Sequence, residues 1–482
     1  MSATLVGLTV LALCLRWAGD AGRLIQLVLV AGIFEAAAAF ILGGFGLQPG
    51  LVPAAMLVAL VGAQYLTGRR SVAELPTLYL MAPLLLLFAY AAVTAVLLPD
   101  AFAGRIIVWP QKFRGPIPEP LPLAPGQGNT NQVLYLAANV ALACGTALAL
   151  GRAGAVWNAV VRAYLFGGYL AVGIAAWEFA SRTVGVPYPK ELLQSNPSWG
   201  IVEQSLGSLP RLQSSFAEPS AFAFYLVGVA FACVALCLRG HRVMRADVLL
   251  VLVLVTAFLC TSTTGIAALV LGLPALLGSA ALRGRKVELR RLLRRLALPG
   301  VAFVVLAAGL LAMRPQLLDV VEQVVVMTLN KGESESYAER GAMNQAAWSA
   351  FLESGGLGIG WGSTRASSAV PGLLSGAGVL GAIATVWFVA RLRRAARLAR
   401  ATAPADHPAR VVVDAFGAAL AGQLLAALLS APMITTPIFF AQIGAMTAAV
   451  IRMRLDTAAR RRVAAQGAVP PGYMEPGLIS GR

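Results

Sequence analysis

About thirteen apolar runs, many close to twenty residues long, constrain this chain more than anything else in it. They lie at approximately 3–16, 24–44, 51–67, 76–98, 132–151, 158–180, 219–238, 247–261, 265–282, 297–313, 372–390, 411–430 and 437–451. A run of roughly 20 apolar residues crosses the hydrocarbon of a bilayer as a helix. Lipid offers no partners to backbone amides, so helices that satisfy their own hydrogen bonds are the economical solution. Only 12% of the residues are charged, where a soluble chain carries about 25%. The expected fold is therefore an all-α polytopic membrane protein with about 12–13 transmembrane helices, and the lipid bilayer is its first partner.

Arg and Lys in the short loops set the orientation, because basic residues are retained on the cytoplasmic side. Segments 16–23, 68–75, 152–157, 239–246, 283–296, 391–410 and 452–482 hold most of them. The run Arg283 to Arg295 reads as a basic juxtamembrane helix against anionic lipid, not as a nucleic-acid site. The resulting organisation is transmembrane helices over 1–98, an external loop 99–131, helices over 132–180, an external loop 181–218, helices over 219–313, a large external loop 314–371, helices over 372–456 and a cytoplasmic tail 457–482, read as disordered. All five cysteines fall in apolar runs and read as small hydrophobes, not a disulfide framework.

The external loops hold the chemistry. Their length and their aromatic content favour ordered, helical caps over disorder. The most informative stretch is Arg211-Leu-Gln-Ser-Ser-Phe-Ala-Glu218-Pro219-Ser220, immediately before a span. Pro219 suits the first turn of a helix, and Glu218 would lie at the positive end of its dipole. A basic residue on the external side runs against the charge bias and needs a reason. Arg211, Arg340 and Arg365 are the candidates. Each reads either as an interfacial or ion-paired side chain or as a phosphate ligand, since guanidinium donors match phosphate oxygens. Arg211 and Arg340 taken as a pair point to a lipid-linked phosphate or diphosphate. Glu218 is the first candidate base and Glu339 the second. Glu35 and Glu178 are acids at or near membrane depth, where ionisable groups are functional hypotheses; Glu35 reads as a satisfied structural acid.

Several chemistries are disfavoured. Both histidines, His241 and His407, fall on the cytoplasmic side, so no external histidine base or ligand is expected. Glu333, Glu335 and Glu339 are too loosely grouped for a divalent-metal site. Gly355–Gly362 lacks the lysine of a phosphate-binding loop and reads as a turn that lets backbone approach a span or a ligand. No metal and no cofactor are expected.

Four stretches together resemble the O-antigen polymerase and O-antigen ligase superfamily: Arg211…Phe216-Ala-Glu218-Pro-Ser220, Thr261-Ser262-Thr-Thr-Gly265, Arg340…Trp348…Gly358-Ile-Gly-Trp-Gly-Ser363, and Leu373–Gly381. Asn129–Gln132 and Tyr135 resemble a stretch of its exopolysaccharide members. The resemblance covers roughly residues 125–450. It implies a GT-C-like fold and an inverting glycosyltransferase at the periplasmic face of the bacterial inner membrane, facing the external loops. The donor and acceptor would be oligosaccharides on undecaprenyl diphosphate, with a chain-length regulator as a further partner. Arg211 and Arg340 would hold the diphosphate and Glu218 would orient or deprotonate the acceptor hydroxyl. Arg365, Tyr337, Glu339, Asn344, Gln132, Ser262 and Ser220 would line the substrate. Ligases of the family use a histidine in the large loop; its absence here favours a polymerase. A flippase would carry charge inside many spans, and these spans are mostly clean.

Overall fold

The computed structural model describes residues 2–111, 119–152, 154–198, 205–206, 209–282, 284, 286–313, 322, 326, 335–430 and 436–467. It is mostly helical. In chain order the helices are α1 (Leu5–Arg16), α2 (Ala21–Ala31), α3 (Leu51–Leu66), α4 (Glu74–Ala101), α5 (Gln127–Leu150), α6 (Trp157–Val184), α7 (Lys190–Leu193), α8 (Pro219–Arg239), α9 (Ala246–Leu259), α10 (Thr263–Leu282), α11 (Lys286–Met313), α12 (Glu335–Glu353), α13 (Ala369–Thr402), α14 (Arg410–Ser430) and α15 (Pro437–Gly467). Eight of them, α4, α5, α6, α8, α10, α13, α14 and α15, are long and apolar enough to cross a membrane. The protein is thus a multi-pass helical membrane protein.

Helix α8 is the axis of the bundle. Every residue from Pro219 to Leu238 is buried, and the helix packs against α14, α9 and α10. Its ends are chemically marked. Pro219 occupies the first turn, where its missing N–H costs nothing, and Gly240 closes the helix in the left-handed region at φ 76°. Small residues let neighbours approach: a Cβ on Gly228 would meet the Tyr164 hydroxyl at 2.7 Å. The remaining long helices pair around this axis, α15 with α5 and α13 with α4.

Two expectations need correction. The run 24–44 is not one span. Helix α2 stops at Ala31, residues 32–39 are non-helical, and the chain then turns through the strands β2 (Phe40–Leu42) and β3 (Phe45–Leu47), which pair with each other and with β1 (Ser2–Ala3). Glycines explain part of this, because Gly43 and Gly44 take φ 55° and 85° at the hairpin tip. Two further short hairpins, β4 (Ile107–Val108) with β5 (Leu121–Pro122) and β6 (Ser205–Leu206) with β7 (Leu209–Pro210), lie in the loops. The fold is therefore helical with small β ornaments, not strictly all-α. Second, α15 runs to Gly467, so the first part of the presumed tail is helix. Arg452 and His407 both pair with Asp456 on this extension, at 2.5 and 3.2 Å. Residues 468–482 lie outside the described residues, as do most of 314–334, including Lys331 and Glu333.

The long loops meet at one end of the bundle. Trp109 N donates to Thr364 Oγ1 at 3.2 Å, and Asn129 Nδ2 donates to Ser363 Oγ at 2.8 Å, tying 99–131 to 314–371. The broken stretch 32–39 joins the same layer. Ala36 N donates to the Ser215 carbonyl at 3.0 Å, and Ser215 Oγ donates to the Ile33 carbonyl at 2.8 Å.

Candidate functional site

The stretch 211–220 reaches the top of α8 through a specific set of supports. Ser214 sits at φ 56°, an uncommon conformation for a residue other than glycine. The Glu178 carboxylate on α6 stabilises that turn: its Oε2 accepts from Gln213 N at 3.1 Å and Ser214 N at 2.7 Å. The other oxygen pairs with Arg182 Nη2 at 2.6 Å, one helical turn away. Phe216 is buried and stacks on Phe222, with centroids 5.3 Å apart, which seats the loop on the helix. Glu178, an acid at or near membrane depth that reads as a functional hypothesis, is accordingly engaged structurally by this turn.

Arg211 emerges from this loop into the interior and is only 9% exposed. Its Nε donates to Thr261 Oγ1 at 3.2 Å. Thr261 itself has φ 50°. Two non-glycine residues in left-handed conformation therefore fall in the two motif-bearing segments around Arg211, a distribution typical of functional sites. Burial holds the Arg211 guanidinium below its ordinary range; the Cys260 thiol and Glu218 oppose that, and the charge of Arg340 reinforces it. Arg340 and Glu218 thus both lie within electrostatic reach of Arg211. Glu218 is the residue before α8, and its Oε1 accepts from Ser220 Oγ at 2.6 Å.

Arg340 arrives on α12. Its Nη1 donates to Ser430 Oγ, at the end of α14, at 3.2 Å. Ser430 Oγ in turn lies 2.8 Å from Ser367 Oγ. One turn further along α12, Asn344 Oδ1 accepts from Ser367 N at 2.8 Å and Ser368 N at 3.0 Å, capping the approach to α13. Asn344 therefore orients the shell around Arg340 with an oxygen already engaged by backbone. Ser262, 3% exposed, is buried beside Thr261.

The other candidates sit elsewhere. Tyr337 is 62% exposed on α12, and Glu339 is half-buried on the same helix. Arg365 is exposed, with its backbone N–H bonded to the Trp109 carbonyl at 2.7 Å. Gln132 packs against the glycine run, where a Cβ on Gly362 would meet its own Cβ at 2.8 Å. The glycine run itself is a seam between helices. A Cβ on Gly360, at φ 95°, would meet the Thr94 carbonyl at 2.8 Å, and one on Gly358, at φ 81°, would meet Gly378 N at 2.7 Å. Of its two readings, the approach to a span accounts for these contacts.

Sequence reasoning missed Thr261 as a ligand of Arg211, and Ser430 and Ser367 as supports of Arg340. A polar residue ending an apolar run, as Ser430 does, is the one signal that pointed there. Among the described residues no group of three His, Cys, Asp or Glu could hold a metal ion. The fold and site define a multi-pass membrane protein with a buried guanidinium, Arg211, and a carboxylate, Glu218, within electrostatic reach of each other at one end of its central helix, and with the half-buried Arg340 acting on Arg211 through its charge. No protein-family model matches the chain, and no curated protein matches its sequence.

Proposed function

We propose that the protein is a polysaccharide polymerase: an inverting, GT-C-type glycosyltransferase that joins oligosaccharide repeat units carried on undecaprenyl diphosphate, at the periplasmic face of the bacterial inner membrane. The observation that carries the reading is that Arg340, from a separate loop, and Glu218 both act through their charge on the buried guanidinium of Arg211. A buried cation, Arg211, and a half-buried one, Arg340, within electrostatic reach repel each other; a dianion placed between them relieves that cost.

In this reading the two guanidinium groups hold the donor's diphosphate. The acceptor hydroxyl oxygen attacks the anomeric carbon of the donor sugar from the face opposite the diphosphate. The new glycosidic bond forms as the carbon–oxygen bond to the diphosphate breaks, and the electron pair leaves with the diphosphate. Fixed positive charge at the departing group lowers the barrier, because the site needs no reorganisation when the charge develops. The hydroxyl proton passes to Glu218. Both histidines are engaged away from this site, His241 with Asp414 and His407 with Asp456, which favours a polymerase over a histidine-dependent ligase.

The test is a purified assay with lipid-diphosphate-linked repeat units. A ladder of products supports the polymerase. Single transfer to a lipid A core would instead indicate a ligase, and translocation across vesicles without new bonds a flippase. Arg211→Ala and Arg340→Ala are each expected to abolish polymer while leaving membrane insertion intact. Full-length polymer from either variant would refute that residue's diphosphate role.

A further inference from the structure

Glu35 lies in the non-helical stretch 32–39, outside the membrane-crossing helices, and is 5% exposed. It makes no hydrogen bond to the described residues. It lines a partly open cavity of about 20 Å³ together with Gln48, Phe216, Tyr225, Gln423 and Thr436. That volume accepts one water. Gln423, 1% exposed, also has its Oε1 without a hydrogen-bond partner among the described residues. Two buried polar side chains thus border one water-sized space, the Gln423 Oε1 without a partner among the described residues, and Glu218 is close enough to act on Glu35 through its charge.

We infer that Glu35 is the second carboxyl of the site, a positioning residue that keeps its proton beside this cavity and leaves Glu218 as the carboxylate that takes the acceptor's proton. Burial makes a charge on Glu35 costly, and the Glu218 charge within electrostatic reach adds to that cost, so Glu35 retains its proton. Among the described residues no cation acts on Glu35. Burial first, and the Glu218 charge second, push Glu35 from an ordinary 4.5 up to about 8. The titratable and charged groups facing Glu35 are Glu218 and the Tyr225 phenol; Gln48, Gln423 and Thr436, from the other packed segments, are neutral. The Tyr225 hydroxyl donates to the Tyr164 carbonyl at 3.2 Å.

The catalytic half of this inference rests on the polymerase reading. In each transfer the acceptor O–H bond breaks and its proton goes to a Glu218 oxygen. The proton on Glu35 is not consumed, and Glu218 returns its own to water before the next cycle. Above the Glu35 transition a second negative charge appears beside Glu218, competes for Arg211 and repels the anionic donor.

Infrared difference spectroscopy on the purified full-length protein separates the two halves. The wild type is expected to show a protonated-carboxyl C=O band at pH 7 that disappears around pH 8. Glu35→Gln removes the band, and Glu218→Gln shifts its midpoint down. Absence of that band, or an unmoved midpoint in Glu218→Gln, overturns the carboxyl pair. The pH profile of ladder synthesis is the second readout. The wild-type rate is expected to fall by up to about tenfold per pH unit above the same midpoint, and Glu35→Gln removes that fall. Bands that behave as described without any ladder would refute the polymerase reading and leave the pair standing. An alkaline fall that persists in Glu35→Gln refutes the role assigned to Glu35. Size-exclusion profiles of Glu35→Gln and wild type are compared, with Glu35→Asp restoring the band as the check on folding.

Discussion

Removing Glu178 tests how the Arg211 loop is held in place. The carboxylate is 1% exposed and accepts from two backbone N–H groups, Gln213 and Ser214, while it pairs with Arg182. Glu178→Ala strands both donors. A buried donor without a partner costs about 1–3 kcal/mol, so the two together cost about 2–6 kcal/mol. The loss of the Arg182 pair adds less, because that side chain keeps 20% of its surface in contact with solvent. A cavity lined by Ser181, Tyr188 and Gln194 adjoins Glu178 and admits water to the vacated space. The lower half of the range, about 2–4 kcal/mol, is therefore expected. Glu178→Gln keeps one acceptor oxygen and should lose about 1 kcal/mol. Thermal unfolding in detergent measures the ranking, and limited proteolysis of 205–218 shows whether the loss is local. Equal stability and equal protection in the wild type and Glu178→Ala would refute the claim that this acid anchors the loop. So would a Gln variant as damaged as the Ala variant.

Further outcomes follow from the same geometry. Thr261→Val removes the hydroxyl that accepts from Arg211 and should lower the transfer rate about tenfold or more, since hydrogen bonds to charged groups contribute about 1.5–3 kcal/mol; Thr261→Ser should restore most of it in the ladder assay. Gly360→Ala forces a side chain into φ 95° against the Thr94 carbonyl and should cost at least about 1–3 kcal/mol, read as a lower detergent Tm. Stability should also depend on pH through Glu35, whose folded form keeps a proton from 4.5 up to about 8 that the unfolded chain has released. Its contribution is complete below 4.5 and is lost as pH rises through about 8. Unfolding measured across that window should lose this slope in Glu35→Gln.

Most of the helical frame follows from local properties of the chain. Apolar runs near membrane length mark the spans because each helix must satisfy its own backbone in lipid, whatever its neighbours are. Pro219 and Gly240 mark the ends of α8 because each acts on its own φ. The motif residues Arg211, Glu218 and Arg340 are legible too, as polar exceptions in external loops. Partnership depends on distances between segments remote in sequence, and only the tertiary structure decides it. Glu178 and Glu35 look alike as isolated acids near apolar runs. One is consumed by the backbone of Gln213 and Ser214, and the other faces a small cavity near Glu218. The break in 24–44 has the same origin: residues 32–39 exchange helical hydrogen bonds for contacts with Ser195 and Ser215 that no window of local sequence contains. Local apolar patterning marks the candidate spans, and through-space packing decides which of them are unbroken helices and which charges come within reach of one another.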